Sequence, residues 1–318
     1  MIFGFLGALG RTLFKGLRDE SGKVDHTNRI TLAELSSPSP YRIEFAHSEG
    51  VNIAYSRFGD TGPPLIVTPG IISNLHVTSH LPPIRETMNS LAKFAKITNF
   101  DKRGQGLSDP TSQVATMEER VKDISCIADT TQTEKFFLMG ISEGGPMSIK
   151  YAVDNPDRVA GLILFGTTAR FSRSDDYPLG ISDNALDGMI QSWGTGSLRD
   201  IFFPSIPREV IDDDTYKGFE KLLVDRRSMS QIVDYMKTLD VRPILKNITC
   251  PTLVIHFTGD LAVPVRMGRY LADKIPNSKF YGGLSHASVV GANCLGHIFG
   301  IGAILGLASR CLLYTSDA

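Results

Sequence analysis

Ser142 stands in Gly140-Ile141-Ser142-Glu143-Gly144, where an apolar run gives way to a helical pattern. A serine hydroxyl is a weak nucleophile at neutral pH. It needs a base to take its proton and a backbone that exposes its oxygen. GxSxG spacing supplies the exposure, because a strand-to-helix turn this tight tolerates little beyond glycine beside the serine, which then projects at the start of the next helix. There the backbone N–H of Glu143 can face a developing oxyanion. The competing reading is a glycine-rich turn with an incidental serine, and the strand-to-helix context weakens it.

Such an elbow calls for an orienting acid and then a base further along the chain. Asp260 ends TLVIHFTGD, directly after a strand, where its carboxylate would emerge at the same sheet edge as the serine. A Gly-Asp pair is commonly only a turn, so the spacing carries this assignment. His286 and His297 are the histidines beyond Asp260. His286 follows the strand SKFYGG in the loop LSHAS and is the expected base, whereas His297 lies in an apolar stretch and reads as structural. The second oxyanion donor is expected from the Pro69-Gly70-Ile71-Ile72 loop, through the N–H of Ile71, with a plain turn as the alternative. Asp101 and Arg103 of DKRGQGLSDP read as loop braces rather than reacting groups. His76 and His80 sit four apart but have no evident third ligand, so no metal is expected.

These residues need a scaffold that gathers them. Short apolar runs at 64–68, 96–100, 135–139, 161–165, 252–256 and 278–282 alternate with helical patterns, which argues for an α/β fold with a mostly parallel sheet. Met117, Val121, Ile124 and Ala128 keep one apolar face, as a crossover helix requires. The runs 41–47 and 51–57, joined by Ser-Glu-Gly, read as an antiparallel hairpin at the sheet edge. The rhythm breaks after Thr168, and roughly 80 residues with helical patterns and Trp193 read as a cap inserted between strands. The expected division is an N-terminal amphipathic extension (1–40), the first part of the core (41–168), a helical cap (169–248), the second part of the core (249–310) and a tail (311–318).

The chain has 318 residues, 42% hydrophobic and 21% charged, with net charge −1, so no broad basic surface invites nucleic acid. Its four cysteines are widely separated, which fits a reducing, cytoplasmic setting. Ile2, Leu6, Leu9, Leu13 and Leu17 recur at helical spacing without the basic start of a signal peptide. The reading is a helix packed on protein, with weak contact to a membrane or a partner as the alternative. Leu295 to Leu313 is apolar enough to raise a membrane span, but His297, Arg310 and several glycines favour a buried terminal helix. The closing CLLYTSDA resembles translated adapter or vector sequence, as in a gene assembled from environmental DNA. Composition leaves the oligomeric state open.

PGII, DKRGQGLSD, GISEGG, Asp260 and His286 together resemble the α/β-hydrolase superfamily over about residues 41–290. GISEGGPMS, LFGTTAR and LDVRPILKNITCPTLVIHFTGDLAVPV are further similar to hydrolase domains fused to bacterial adenylate or guanylate cyclases, although no cyclase region is present. The resemblance implies an α/β-hydrolase fold with an inserted cap and cofactor-free ester hydrolysis. Ser142 is then the nucleophile, His286 the base, Asp260 the orienting acid, and the N–H groups of Ile71 and Glu143 the oxyanion hole. The substrate expected is a small-molecule ester of small to medium acyl length. A signalling sensor that keeps the triad but turns over slowly or once is the rival reading. Two departures stand out: Pro69-Gly70 replaces the usual His-Gly, and the loop after His286 lacks the expected tryptophan and acidic residues.

Overall fold

Four of the strands are apolar along nearly their whole length, and the architecture explains why: both faces of each are covered. The computed structural model describes residues 29–203 and 208–282. Within them lie β1 (Glu44–Ser48), β2 (Val51–Phe58), β3 (Pro64–Thr68), β4 (Lys96–Phe100), β5 (Phe136–Ile141), β6 (Val159–Phe165), β7 (Thr252–His256) and β8 (Ser278–Gly282). They form one sheet in the order β1-β2-β4-β3-β5-β6-β7-β8. β1 and β2 pair antiparallel, as do β2 and β4, and every remaining neighbour is parallel.

Alternation shows directly in the packing. Ile66, Leu138, Leu164 and Val254 enter one core, whereas Leu65, Val67, Met139, Ile163 and Ile255 enter another on the opposite face. A strand covered on both sides therefore reads as a continuous apolar run, as buried parallel strands do. The hairpin differs in detail from its sequence reading. β1 starts at Glu44 rather than Tyr41, and the turn is the pair Glu49-Gly50, both at positive φ, as a two-residue type I′ connection requires. β6 begins two residues before the expected start, because its register with β5 shifts beside Phe136 and Phe137.

In chain order the helices are α1 (Leu32–Leu35), α2 (Leu75–Thr78), α3 (Pro82–Leu91), α4 (Met117–Thr130), α5 (Gly144–Asp154), α6 (Asp183–Ser192), α7 (Arg199–Phe202), α8 (Asp213–Leu223), α9 (Arg226–Thr238) and α10 (Val265–Lys274). α4 starts at a capping box in which Thr116 and Glu119 satisfy each other's backbone N–H groups. α6 to α9 all fall between β6 and β7. Trp193, at the end of α6, is buried and donates its indole N–H to the Val224 carbonyl at 2.8 Å. Among the described residues, no helix is long and apolar enough to cross a membrane. The expected N-terminal helix and the stretch from Leu295 to Leu313 lie outside the described residues.

Residues 29–35 form a strap across two parts of the fold. Ile30 donates its N–H to Val210 at 2.8 Å, and Arg29 pairs with Asp212 at 2.7 Å. Leu35 is fully buried in one cluster with Val77, Leu81 and Ile84 on one side and Tyr216 and Phe219 of α8 on the other. The strap thus fixes α8 against α2 and α3. Leu35→Ala should cost about 2–5 kcal/mol, the usual range for emptying a buried leucine site. Urea melts of the two proteins measure this, and a loss below about 1 kcal/mol would show that the strap does not carry the packing.

Candidate active site

Five parallel strands, β3 to β7, end at one sheet edge, and the loops that leave them bring distant residues together. β5 stops at Ile141, and Ser142 takes φ 49°, a left-handed conformation that only a sharp, well-held turn imposes on a serine. Its N–H continues the ladder to the Phe165 carbonyl at 3.0 Å. Its carbonyl accepts from the Gly145 N–H at 3.0 Å and from the Thr167 hydroxyl. Glycine is required at two neighbours by close approach. A Cβ on Gly144 would fall within 2.5 Å of the Thr68 carbonyl oxygen, and one on Gly145 would overlap the Thr167 side chain.

The loop after β3 lies against the serine. A Cβ placed on Gly70 would be 3.3 Å from Ser142 Cβ and 3.9 Å from its Oγ, so the Gly70 backbone runs beside the hydroxyl. Ser142, Gly70, Ile71 and Asp260 all line one cavity of about 240 Å³. Its walls are mainly apolar, with Phe165, Trp193, Phe202, Tyr216, Phe219 and Phe257 among them. Asp260 follows β7, and its Oδ1 accepts from the Ala262 and Val263 N–H groups at 2.9 and 2.8 Å. Its Oδ2 faces Gly166 and stands 3.6 Å from His256 Nε2. His286 and His297 lie outside the described residues.

His256 is a histidine beside Asp260 that the sequence reading passed over. It is buried, its Nε2 lies 2.5 Å from the Val263 carbonyl, and burial holds its pKa below the ordinary range. It does not line the cavity, and neither does any other described histidine. His256 therefore fixes the Asp260 loop and has no path to Ser142 through the cavity. His76 and His80 stack edge to face, His80 Nε2 sits 3.1 Å from the Ser37 carbonyl, and no cluster of three or more ligating residues exists among those described.

The side chain of Glu143, next after the serine, is buried and meets two cations. Lys102 Nζ contacts Oε2, and Arg120 Nη1 lies 2.5 Å from Oε1. Lys102 also donates to the carbonyl oxygens of Gly70 at 2.6 Å and Ile71 at 3.3 Å. Arg120 donates to the Ala115 carbonyl and lies 4.1 Å over the Tyr235 ring of α9. Burial pulls Lys102 down to about 8, with Glu143 opposing and Arg120 adding to the shift. Asp101 accepts from the Leu75 and Leu107 N–H groups, and burial raises its carboxyl to about 7 against their pull. Arg103 pairs with buried Asp123 and reaches Ser48. Sequence reading missed Lys102; the available signal was a carboxylate set directly after Ser142, which demands a cation once buried.

An eight-stranded, mostly parallel sheet with a serine on a strained turn after its fifth strand defines an α/β-hydrolase fold. Residues 94–290 match the family described as serine aminopeptidase S33, and the chain belongs to that family. It is 24% identical over 212 residues to Karrikin insensitive 2 receptor B of Petunia hybrida, spanning 63% of this chain and 76% of the relative. It is 28% identical over 150 residues to a pimeloyl-acyl-carrier-protein methyl ester esterase of Neisseria meningitidis, spanning 45% of this chain and 47% of the relative. An esterase from Exiguobacterium antarcticum superposes with a TM-score of 0.67 at 20% identity, over 84% of this chain and 98% of that one, which shows the shared fold.

The Lys102 ionisation gives a measurable consequence. In the folded chain it ionises near 8, against an ordinary value of 10.5, so between those values the unfolded chain carries more protons and stability rises with pH. Urea melts of wild type and Lys102→Met from about pH 7.5 to 10 should show the wild type gaining on the variant as pH climbs. A difference that stays flat would mean that the ammonium is not desolvated.

Proposed function

We propose that the protein is a serine carboxylesterase that cleaves esters of small to medium acyl groups through an acyl-enzyme on Ser142. The observation that carries this reading is Ser142 at positive φ on the strand-to-helix turn, sharing an apolar cavity with Asp260. In the proposed cycle His286 takes the serine proton, Ser142 Oγ attacks the ester carbonyl, and the Ile71 and Glu143 N–H groups receive the oxyanion. The alcohol leaves with the proton from His286, water then attacks the acyl group by the same route, and Asp260 orients the imidazole throughout. Residues 169–248 act as the cap that closes the acyl pocket.

Two further features support this substrate class. A cavity of about 240 Å³ with aromatic walls suits a compact apolar acyl group better than a long chain. An aminopeptidase must also hold the free ammonium of its substrate, yet both acidic side chains on the described lining, Asp101 and Asp260, are already bound by backbone N–H groups. That favours an uncharged ester. The relative named a receptor supports a second reading, in which the same serine reacts slowly or once and the acyl state signals. Steady turnover separates the two, since a sensor stops after about one equivalent of product.

Ser142→Ala should lower kcat by about 10⁴-fold and leave the fold intact by circular dichroism. His286→Ala should be similarly inactive, and the wild-type kcat/KM should fall as pH drops through about 6.5, where a base histidine becomes protonated. Efficiency across p-nitrophenyl esters should peak at short to medium acyl chains. A folded Ser142→Ala protein with wild-type turnover, or efficiency that climbs steadily to long-chain esters, would overturn the reading.

A further inference from the structure

We propose that Lys102 is a positioning residue that builds the oxyanion hole by holding the Gly70 carbonyl away from the cavity, so that the Ile71 N–H faces Ser142. The inference rests on the esterase reading above and adds a residue to it. In a trans peptide the carbonyl and the N–H of one unit point in opposite directions. Gly70 C=O and Ile71 N–H belong to one such unit. Lys102 Nζ draws that carbonyl to 2.6 Å, and Lys102 is buried outside the cavity that Gly70, Ile71 and Ser142 line. The opposite pole of the same peptide therefore points into the cavity.

The ammonium is used completely. Its three N–H donors meet three acceptors: the Gly70 carbonyl, the Ile71 carbonyl and Glu143 Oε2. One cation thus ties the loop after β3 to the residue that follows the nucleophile, and so joins the segments that carry the two proposed oxyanion donors. Glu143 is itself anchored through its other oxygen by Arg120, which is held by the Ala115 carbonyl and the Tyr235 ring. The anchor is therefore fixed from two sides. A buried lysine is costly to desolvate, and an apolar side chain of the same length would fill the space without that cost. What an apolar side chain cannot do is pull on two carbonyls.

Lys102→Met tests the assignment, because it keeps length and leaves Glu143 and Arg120 as a neutral one-to-one pair. We would measure kcat and KM with p-nitrophenyl butyrate, the inhibition constant of butylboronic acid as a tetrahedral mimic, and the melting temperature. The expected result is a fall in kcat of about 10²-fold with a matching loss of boronate affinity, while KM stays within about threefold and the variant melts within a few degrees of wild type. A folded variant with unchanged kcat overturns the proposal, as does a kcat loss matched by KM with boronate affinity unchanged. The pH profiles of kcat for wild type and Lys102→Met supply a second measurement. The groups facing Lys102 are Glu143, Arg120 and Asp101, and with its pKa near 8 the amine loses its proton above that pH. kcat should then decline as pH rises through about 8, and a decline of the same size and midpoint in Lys102→Met would assign it to another group and overturn this part of the proposal. Failure of the esterase reading looks different: wild-type protein would then not turn over the ester at all.

Discussion

Glu143 carries a carboxylate into the interior one residue after Ser142, and the geometry of the site follows from how that charge is answered. An isolated buried carboxylate is prohibitively expensive, so the group exists there only because each oxygen has its own cation. The cations come from different elements: Lys102 just after β4, and Arg120 from the first turn of α4. Satisfying one charge therefore locks three segments together at the sheet edge. Lys102 spends its remaining donors on the Gly70 and Ile71 carbonyls and draws in the loop after β3 as the fourth. The strain at Ser142 is held by the same surroundings, with backbone bonds to Phe165 and Gly145 and the Thr167 hydroxyl on its carbonyl.

Much of this was legible in the sequence, and the reason is local. Strands covered on both faces must be apolar at successive positions, so β3 and β7 announce their own bounds. The elbow is legible because close approach leaves glycine no substitute at Gly144 and Gly145. The misreadings have equally local causes. Tyr41 to Ile43 alternate as a strand would, yet pairing begins at Glu44, opposite Tyr55. Gly161 looked like a strand boundary, whereas the register shift beside it lets β6 start earlier, at Val159. Lys102 stayed hidden for a different reason. Its partners are Glu143, 41 residues away, and two carbonyls about 30 residues back, and such long-range pairing leaves no periodic trace.

The serine turn and much of the cavity wall belong to different parts of the molecule. The sheet edge presents Ser142 and Asp260 and is braced by buried ions, whereas much of the cavity wall comes from Trp193, Phe202, Tyr216 and Phe219, between β6 and β7. That wall is held by apolar packing and by the strap at residues 29–35, not by the ion network. Arg120 also touches the segment between β6 and β7, through its guanidinium on the Tyr235 ring. A substitution among the wall aromatics changes the shape that a ligand meets without altering the charges around Glu143. The Gly70-Ile71 segment bonded by Lys102 is where the two systems meet, since Ile71 also packs against the cluster that holds Trp193. Residue patterns near the elbow can therefore report the serine turn while saying little about the cavity, because its wall is built from side chains whose positions depend on packing across distant segments.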